Sequence, residues 1–453
     1  MRIIYLVLCC FCYYNSIAQI TTFNKRIQLG CGNTILTSVE VTDSCYYVTG
    51  TAKDSILCRV GALFAKFDTL GNFLFSSVYH DSLGWYGTWH PSLETYSNHY
   101  LVVSGYYIDI NNNMKGGGLK YNKEGELLEE YLHPNLYPNE KYIRTDDMKI
   151  TPDSGFIVVS GISHPQGVGD VSILKLDKNG NKDWHISSID SNYIEHIPCV
   201  HATNDNHYII GYQQDNLSGV QMNYTVRSKL EKIDSLGNTI WTYQSPNNQQ
   251  IHGVNDLILS KDGGLVVASA WGYEQLNSTG TFANFLHDGY IYKLDSAQNF
   301  LWGTRFLESV NDRASFQKII ELEDSSLVAF GVHNRWHSNL GGFIQHGRIV
   351  KLSPQGDSIW SRDYEYLSTA NARHTVYDAE RTPDGGFLVC GEANGVDTIP
   401  SNPIIFQQGW LIKLDEQGCL VPDCHTTTGV LPLEQGGAIS LLLYPNPTTD
   451  YLY

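Results

Sequence analysis

Apolar residues in this chain fall into short runs bounded by Asp-, Asn- and Gly-rich turns. The stretch from Trp241 to Trp302 shows the pattern. A strand-like run, Gly253 to Leu259, meets a turn at Lys261-Asp262-Gly263-Gly264. Asp and Gly supply the backbone angles of a tight reversal there. The run Leu265 to Ala270 is continuous and small-to-branched, as suits a strand buried on both faces. A variable polar segment leads to Gly289-Tyr290-Ile291-Tyr292-Lys293-Leu294-Asp295, and a second turn at Ser296 to Asn299 gives Phe300-Leu301-Trp302. The pattern predicts four strands and no amphipathic helix.

This arrangement recurs. A Lys-hydrophobic-Asp phrase, followed by a two-residue step and Gly, has its Lys at 66, 120, 175, 232, 293, 351 and 413. A second phrase keeps phase with it: Pro152-Asp153-Ser154-Gly155 before Phe156 to Gly161, and Pro383-Asp384-Gly385-Gly386 before Phe387 to Gly391, with weaker copies ending at Gly50, Gly105, Gly211, Ser269 and Gly331. Repetition at this period means stacked supersecondary units. Four-stranded units with a Gly and an aromatic in each predict an all-β fold, a seven-bladed β-propeller of four-stranded antiparallel blades. The seventh copy stops at Gly418-Cys419 without its last strand, while Ile20 to Ile27 is an unassigned strand at the other end. The last blade is therefore expected to be closed by the N-terminal strand, beside Trp410 to Asp415.

The turn explains the first phrase, since Gly takes the left-handed position and Asp accepts bonds from amides ahead of it. Seven residues after Asp stands Trp184, Trp241, Trp302 or Trp360, with Phe75 in the first copy. These rings are expected to fill the wedges between blades. The second copy departs furthest, with Asn122 for Asp and Glu129 for Trp. Gln298 replaces Gly in the fifth copy, and Ser353 replaces Asp in the sixth. The second blade is expected to be the least regular.

The ends change the picture. Met1-Arg2, the apolar Ile3 to Cys12 and the small residues Ser16-Ile17-Ala18 read as a signal peptide over 1–18. The propeller is assigned to 19–424, a linker to 425–440 and a different segment to 441–453. No later stretch is apolar enough for a transmembrane helix. A net charge of −17 spread without blocks excludes nucleic acid as a partner, and the mature chain is expected as a secreted or cell-surface monomer. Seven of the ten Cys lie beyond the signal. The short gap between Cys419 and Cys424 predicts a disulfide, and Cys390 in an apolar run predicts a buried thiol. Pairing among Cys31, Cys45, Cys58 and Cys199 stays open.

Tyr444-Pro445-Asn446-Pro447-Thr448-Thr449-Asp450 resembles the opening of the C-terminal sorting domain carried by cargo of the type IX secretion system of Bacteroidetes-type bacteria. The lysine-aspartate-glycine units resemble the delta-60 and related propeller repeats of the same secreted proteins. The resemblance implies export with the secretion machinery as a partner, a truncated sorting domain, and a family mostly without assigned activity.

Fold does not decide function. The sialidase Asp box fails in spacing, a Gly-x-Ser-x-Gly nucleophile is missing, and no pattern calls for a cofactor. Asp109 to Asn113 starts like a calcium loop but has Met114 where Gly is required. Paired C-x-x-C spacing for zinc is missing. His90, His196, His252 and His374 precede the Asp/Asn turn by eight to ten residues in four copies. They are the candidate ligand-binding residues, set against plain solvated histidines. The expectation is a non-catalytic binding scaffold for a surface glycan or protein, using the segments Gly272 to His287 and His333 to His346. The alternative is a polysaccharide-acting enzyme, a glycoside hydrolase or lyase with its site at one end of the ring.

Overall fold

The computed structural model describes residues 21–421 and 424, except 81–83, 88–92, 97–99, 110–113, 133–141, 164–168, 189–192, 217–225, 247–250, 277–281, 307–311 and 397–404. The signal segment, the linker and the sorting-type tail lie outside the described residues. Every element among those described is a β-strand. Three sheets are simple four-stranded meanders, opening at Thr34–Val41, Tyr193–Ala202 and Ile251–Leu259. A nine-stranded sheet runs from Gly84–Gly87 to Lys182–Ser188, and an eight-stranded one from Arg313–Glu321 to Ile405–Leu414. Each large sheet joins two meanders through one parallel bridge, Tyr142 to Met114 and Arg373 to Gln345.

The first strands of successive meanders pack on one another in a circuit. Thr34–Val41 touches Leu93–Tyr96, which touches Tyr142–Ile150; Tyr193–Ala202, Ile251–Leu259, Arg313–Glu321 and Arg373–Arg381 follow, and the last returns to Thr34–Val41. Antiparallel sheets set radially in this way make a β-propeller. The join is built as the unassigned N-terminal strand required: Phe23–Ile27 lies antiparallel to Gly409–Lys413, with Phe23 opposite Lys413 and Ile27 opposite Gly409. Asn24 Nδ2 donates to the Glu365 carbonyl at 2.9 Å, and the indole of fully buried Trp410 donates to Asn24 Oδ1 at 2.7 Å.

Local chemistry accounts for both repeated phrases. Asp68, Asp177, Asp234, Asp295 and Asp415 each accept the N–H groups two and four residues on, at 2.7–2.9 Å. Asn122 and the hydroxyl of Ser353 make the same pair of bonds, at 2.8–3.2 Å. Gln298 holds the left-handed position at φ 63° that Gly fills elsewhere. The Lys of one phrase reaches the Asp of the other: Lys175 to Asp153 at 3.0 Å, Lys293 to Asp262 at 2.6 Å and Lys413 to Asp384 at 2.9 Å. Two phrases stay in phase because their side chains touch.

The aromatic after the turn packs on the turn glycine of the next meander. Trp184 covers Gly237, Trp302 covers Gly356 and Trp360 covers Gly418, while Phe75 covers Gly125. Across the join, Phe23 covers Gly71 in the same way. The tryptophans are half-buried at the outer edge of each wedge, so the wedges themselves are filled by Leu, Ile, Val and Tyr side chains. In the second copy Glu129 does stand opposite Lys120, but Tyr131, two residues on, covers Gly180 instead. That region is irregular as expected, its first strand broken into Gly84–Gly87 and Leu93–Tyr96.

Cys419 and Cys424 form a disulfide, and Cys31 is joined to Cys58. Cys45, Cys199 and Cys390 are buried free thiols. Such pairing suits an oxidising compartment. No helix among the described residues is long and apolar enough to cross a membrane.

Candidate functional site

Four histidines were expected to share a rim. His90 lies outside the described residues, as do residues 110–113 of the calcium-like segment. His196 and His252 sit in first strands, opposite Gln213 and Ala270, each just before a β-bulge; their side chains are outside the description. His374 holds the corresponding place opposite Ala393. It is fully buried, its Nδ1 donates to the Gln345 carbonyl at 2.8 Å, and its Nε2 accepts from the Tyr366 and Leu367 amides, both at 3.0 Å. Burial, chiefly, pushes its pKa down to about 4. Neither nitrogen is left for a ligand, which corrects its assignment as a binding residue. His374 pins the chain at 366–367.

Pinning matters because of what that segment carries. The span His333 to His346, expected as a loop, is an extended hairpin, Leu327–His337 pairing with Gly342–Leu352. Its register sets His333 opposite His346 and places His337 two steps further along the same face. His337 Nε2 lies 3.1 Å from His346 Nε2, and His346 Nδ1 lies 3.3 Å from Glu365. Burial lowers the His346 pKa to about 3, against the pull of Asp363, so the ring is neutral. A neutral His346 that turns its N–H toward Glu365 offers Nε2 as acceptor to His337 Nε2–H. The half-buried His337 then carries its lone pair on Nδ1. Its own pKa is lowered, first by burial, with Glu365 opposing and the Arg335 charge assisting.

Beneath this relay lies a clamp. Arg348 binds Asp363 with two nitrogens, at 2.7 and 2.9 Å, and His333 Nδ1 sits 2.8 Å from the same carboxylate. Burial alone would raise the Asp363 carboxyl, but the bonds from His333 and Arg348 hold it well below the usual carboxylate range. His333 Nε2 is 3.7 Å from Asp312. Three histidines and three carboxylates thus meet between the hairpin and residues 363–374. None of the groupings among the described residues has the geometry of a metal site.

A second charged cluster lines the inner strands. The residue after each bulge repeats a device: Asp147 accepts from Val200 N at 2.9 Å, Asp256 from Ile319 N at 2.9 Å and Asp378 from Val39 N at 3.1 Å. Lys149 pairs with Glu94 at 2.8 Å and Asp147 at 3.1 Å, and Lys318 with Asp378 at 3.1 Å. Burial raises Glu40 to about 7 and Asp256 to about 6, the lysines opposing. These groups tie neighbouring sheets together through buried bonds. Their signal was present in the sequence: Asp147, Asp256 and Asp378 each stand six residues before the turn Asp.

No family model and no curated protein matches this chain. Among solved structures, a polysaccharide lyase of family PL25, an ulvan lyase bound to a -[GlcA(1-4)Rha3S]- ligand, matches at 8% identity and a TM-score of 0.50, covering 86% of this chain and 96% of its own. The alpha-L-arabinanase of Penicillium chrysogenum matches at 12% identity and 0.46, covering 73% and 94%. The β-propeller domain of the trilobed protease from Pyrococcus furiosus matches at 7% and 0.42, covering 83% and 95%. The expectation of a non-catalytic scaffold is corrected here: the solved structure that matches at a TM-score of 0.50 is a polysaccharide lyase.

Proposed function

We propose that this chain is a polysaccharide-acting enzyme, with its site at one end of a closed seven-bladed ring. The circuit of first strands and the N-terminal strand on the last sheet support the blade count. The observation that carries the activity is the relay Glu365–His346–His337, a carboxylate orienting one buried imidazole against a second, half-exposed one. That arrangement fixes a neutral base at a rim formed by strand ends and connecting segments, where propellers display variable chain. The likeness to the ulvan lyase is compatible with this substrate class.

An extracellular location belongs to the same reading, supported by the two disulfides. Export through a type IX sorting segment is proposed on the tail motif alone. The test is incubation of the full chain with a panel of plant and algal polysaccharides. New reducing ends that disappear in H337A support the reading; a panel left intact by the wild-type chain refutes it.

A further inference from the structure

Glu365, the carboxylate of the relay, sits on the connection between Ser358–Tyr364 and Arg373–Arg381, outside any strand. No ladder fixes residues 365–368, so side chains from other elements hold them. His374 takes the Tyr366 and Leu367 amides, and Ser368 Oγ donates to Glu365 Oε1 at 2.7 Å. The main-chain carbonyl of Glu365 accepts from Asn24 Nδ2 at 2.9 Å. Asn24 belongs to the N-terminal strand, 341 residues away in sequence.

These contacts form a circuit. Asn24 Oδ1 accepts from the Trp410 indole, and the Trp410 ring centroid lies 5.1 Å from that of His374. Both of those side chains are fully buried. Asn24, Trp410, His374 and residues 365–367 are thus held by one another, and a polar network of this kind is rigid only when every member is present. Glu365 in turn lies 3.3 Å from His346 Nδ1, and His346 Nε2 faces His337 Nε2. The bond made at one imidazole nitrogen decides which nitrogen carries the proton. Asp363 and His333, the other groups beside His346, are held to the Arg348 clamp instead.

Resting on the enzymatic reading above, we infer that Asn24 is a positioning residue for the relay, so that the base His337 is oriented only when the N-terminal strand has docked. With Asn24 in place, the Glu365 carboxylate keeps the His346 proton on Nδ1. His346 Nε2 then accepts from His337, whose lone pair sits on Nδ1. With the strand undocked, the Glu365 carbonyl loses its donor and the carboxylate loses its fixed direction. His346 then populates both tautomers, and His337 no longer presents one defined acceptor. An open ring keeps its sheets but has no oriented base. Activity is thereby reserved for chains whose two ends have met.

The experiment reads the His346 tautomer directly, by nitrogen NMR of the full chain labelled at histidine, well below its melting transition. Two variants separate positioning from closure. N24A removes both bonds, whereas N24D keeps an acceptor for the Trp410 indole and gives no donor to the Glu365 carbonyl. E365A is the reference for a relay without its carboxylate, and Q28A is the control on the same strand pair. The expected result is a single Nδ1–H tautomer in wild type and Q28A, and a mixture in N24A, N24D and E365A. On whichever polysaccharide the wild-type chain cuts, N24A and N24D should lower kcat by about 10- to 10²-fold with KM unchanged. A wild-type tautomer in both N24A and N24D overturns the coupling, whatever their kcat. A chain that cuts no polymer while its tautomer still responds to N24D loses the enzymatic reading and keeps the coupling.

Discussion

Replacing Asn24 by Ala tests how the ring is held shut. Asn24 makes two bonds across the join, accepting from the Trp410 indole at 2.7 Å and donating to the Glu365 carbonyl at 2.9 Å. Alanine leaves the Trp410 N–H, on a side chain with no solvent exposure, without a partner. An orphaned buried donor costs about 1–3 kcal/mol, and the lost bond to the carbonyl adds about 1 kcal/mol. The sum is about 2–4 kcal/mol. For the roughly 340 described residues the unfolding entropy is roughly 0.7 kcal/mol per degree, so the melting temperature should fall by about 3–6 °C. Gln28, which accepts from Gln408 at an exposed position on the same strand pair, is the control. Q28A should change the melting temperature by well under 1 °C. In the double mutant N24A/W410F the two losses should be less than additive, because Phe has no N–H to orphan. Calorimetry reads wild type, the single variants N24A, W410F and Q28A, and the double mutant. Equal, negligible shifts for N24A and Q28A would refute the idea that this strand closes the ring.

Two further outcomes follow from buried charge. Glu40 is raised from 4.5 to about 7 by burial, with Glu94 and Asp378 adding to it. A carboxyl raised on folding stabilises below pH 4.5, and that contribution fades as the pH climbs to about 7, with a ceiling of about 3 kcal/mol. E40Q should therefore melt higher than wild type at pH 8 and alike at pH 4; the same difference at both values would count against this account. D384A leaves the ammonium of Lys413, a side chain 2% exposed, with only the Leu414 carbonyl. It should cost about 3–5 kcal/mol, whereas K413M removes the charge as well and should cost distinctly less. Chemical denaturation of both variants reads the difference, and equal losses would contradict the ion-pair argument.

The architecture was legible because its causes are local. A turn Asp binds amides two and four residues away, so its spacing is rigid and survives as a phrase. Lys175 and Asp153 are 22 residues apart yet touch, and that contact repeats wherever both phrases are intact. Glu129 misled because it marks the Trp position, while the ring that covers Gly180 belongs to Tyr131, on the same face one pleat further on. The site was much less visible. His337, His346 and Glu365 come together through the register of a hairpin read as a loop, and through His374, which holds down residues 366–367. Histidines chosen for their place in the repeat marked a structural position, while those that form the relay lie where the repeat is interrupted.

Stitching Asn24 to Trp410 spans 386 residues of sequence. On a nascent chain the first strand must therefore wait, unpaired, until nearly everything else has been synthesised. Meanwhile the outer edge of Ile405–Leu414 presents open hydrogen-bonding groups to any passing strand. Such a contact is among the slowest to find, and an edge left open is where molecules pair wrongly. Folding yield, rather than final stability, is then governed by how quickly the two extremities meet.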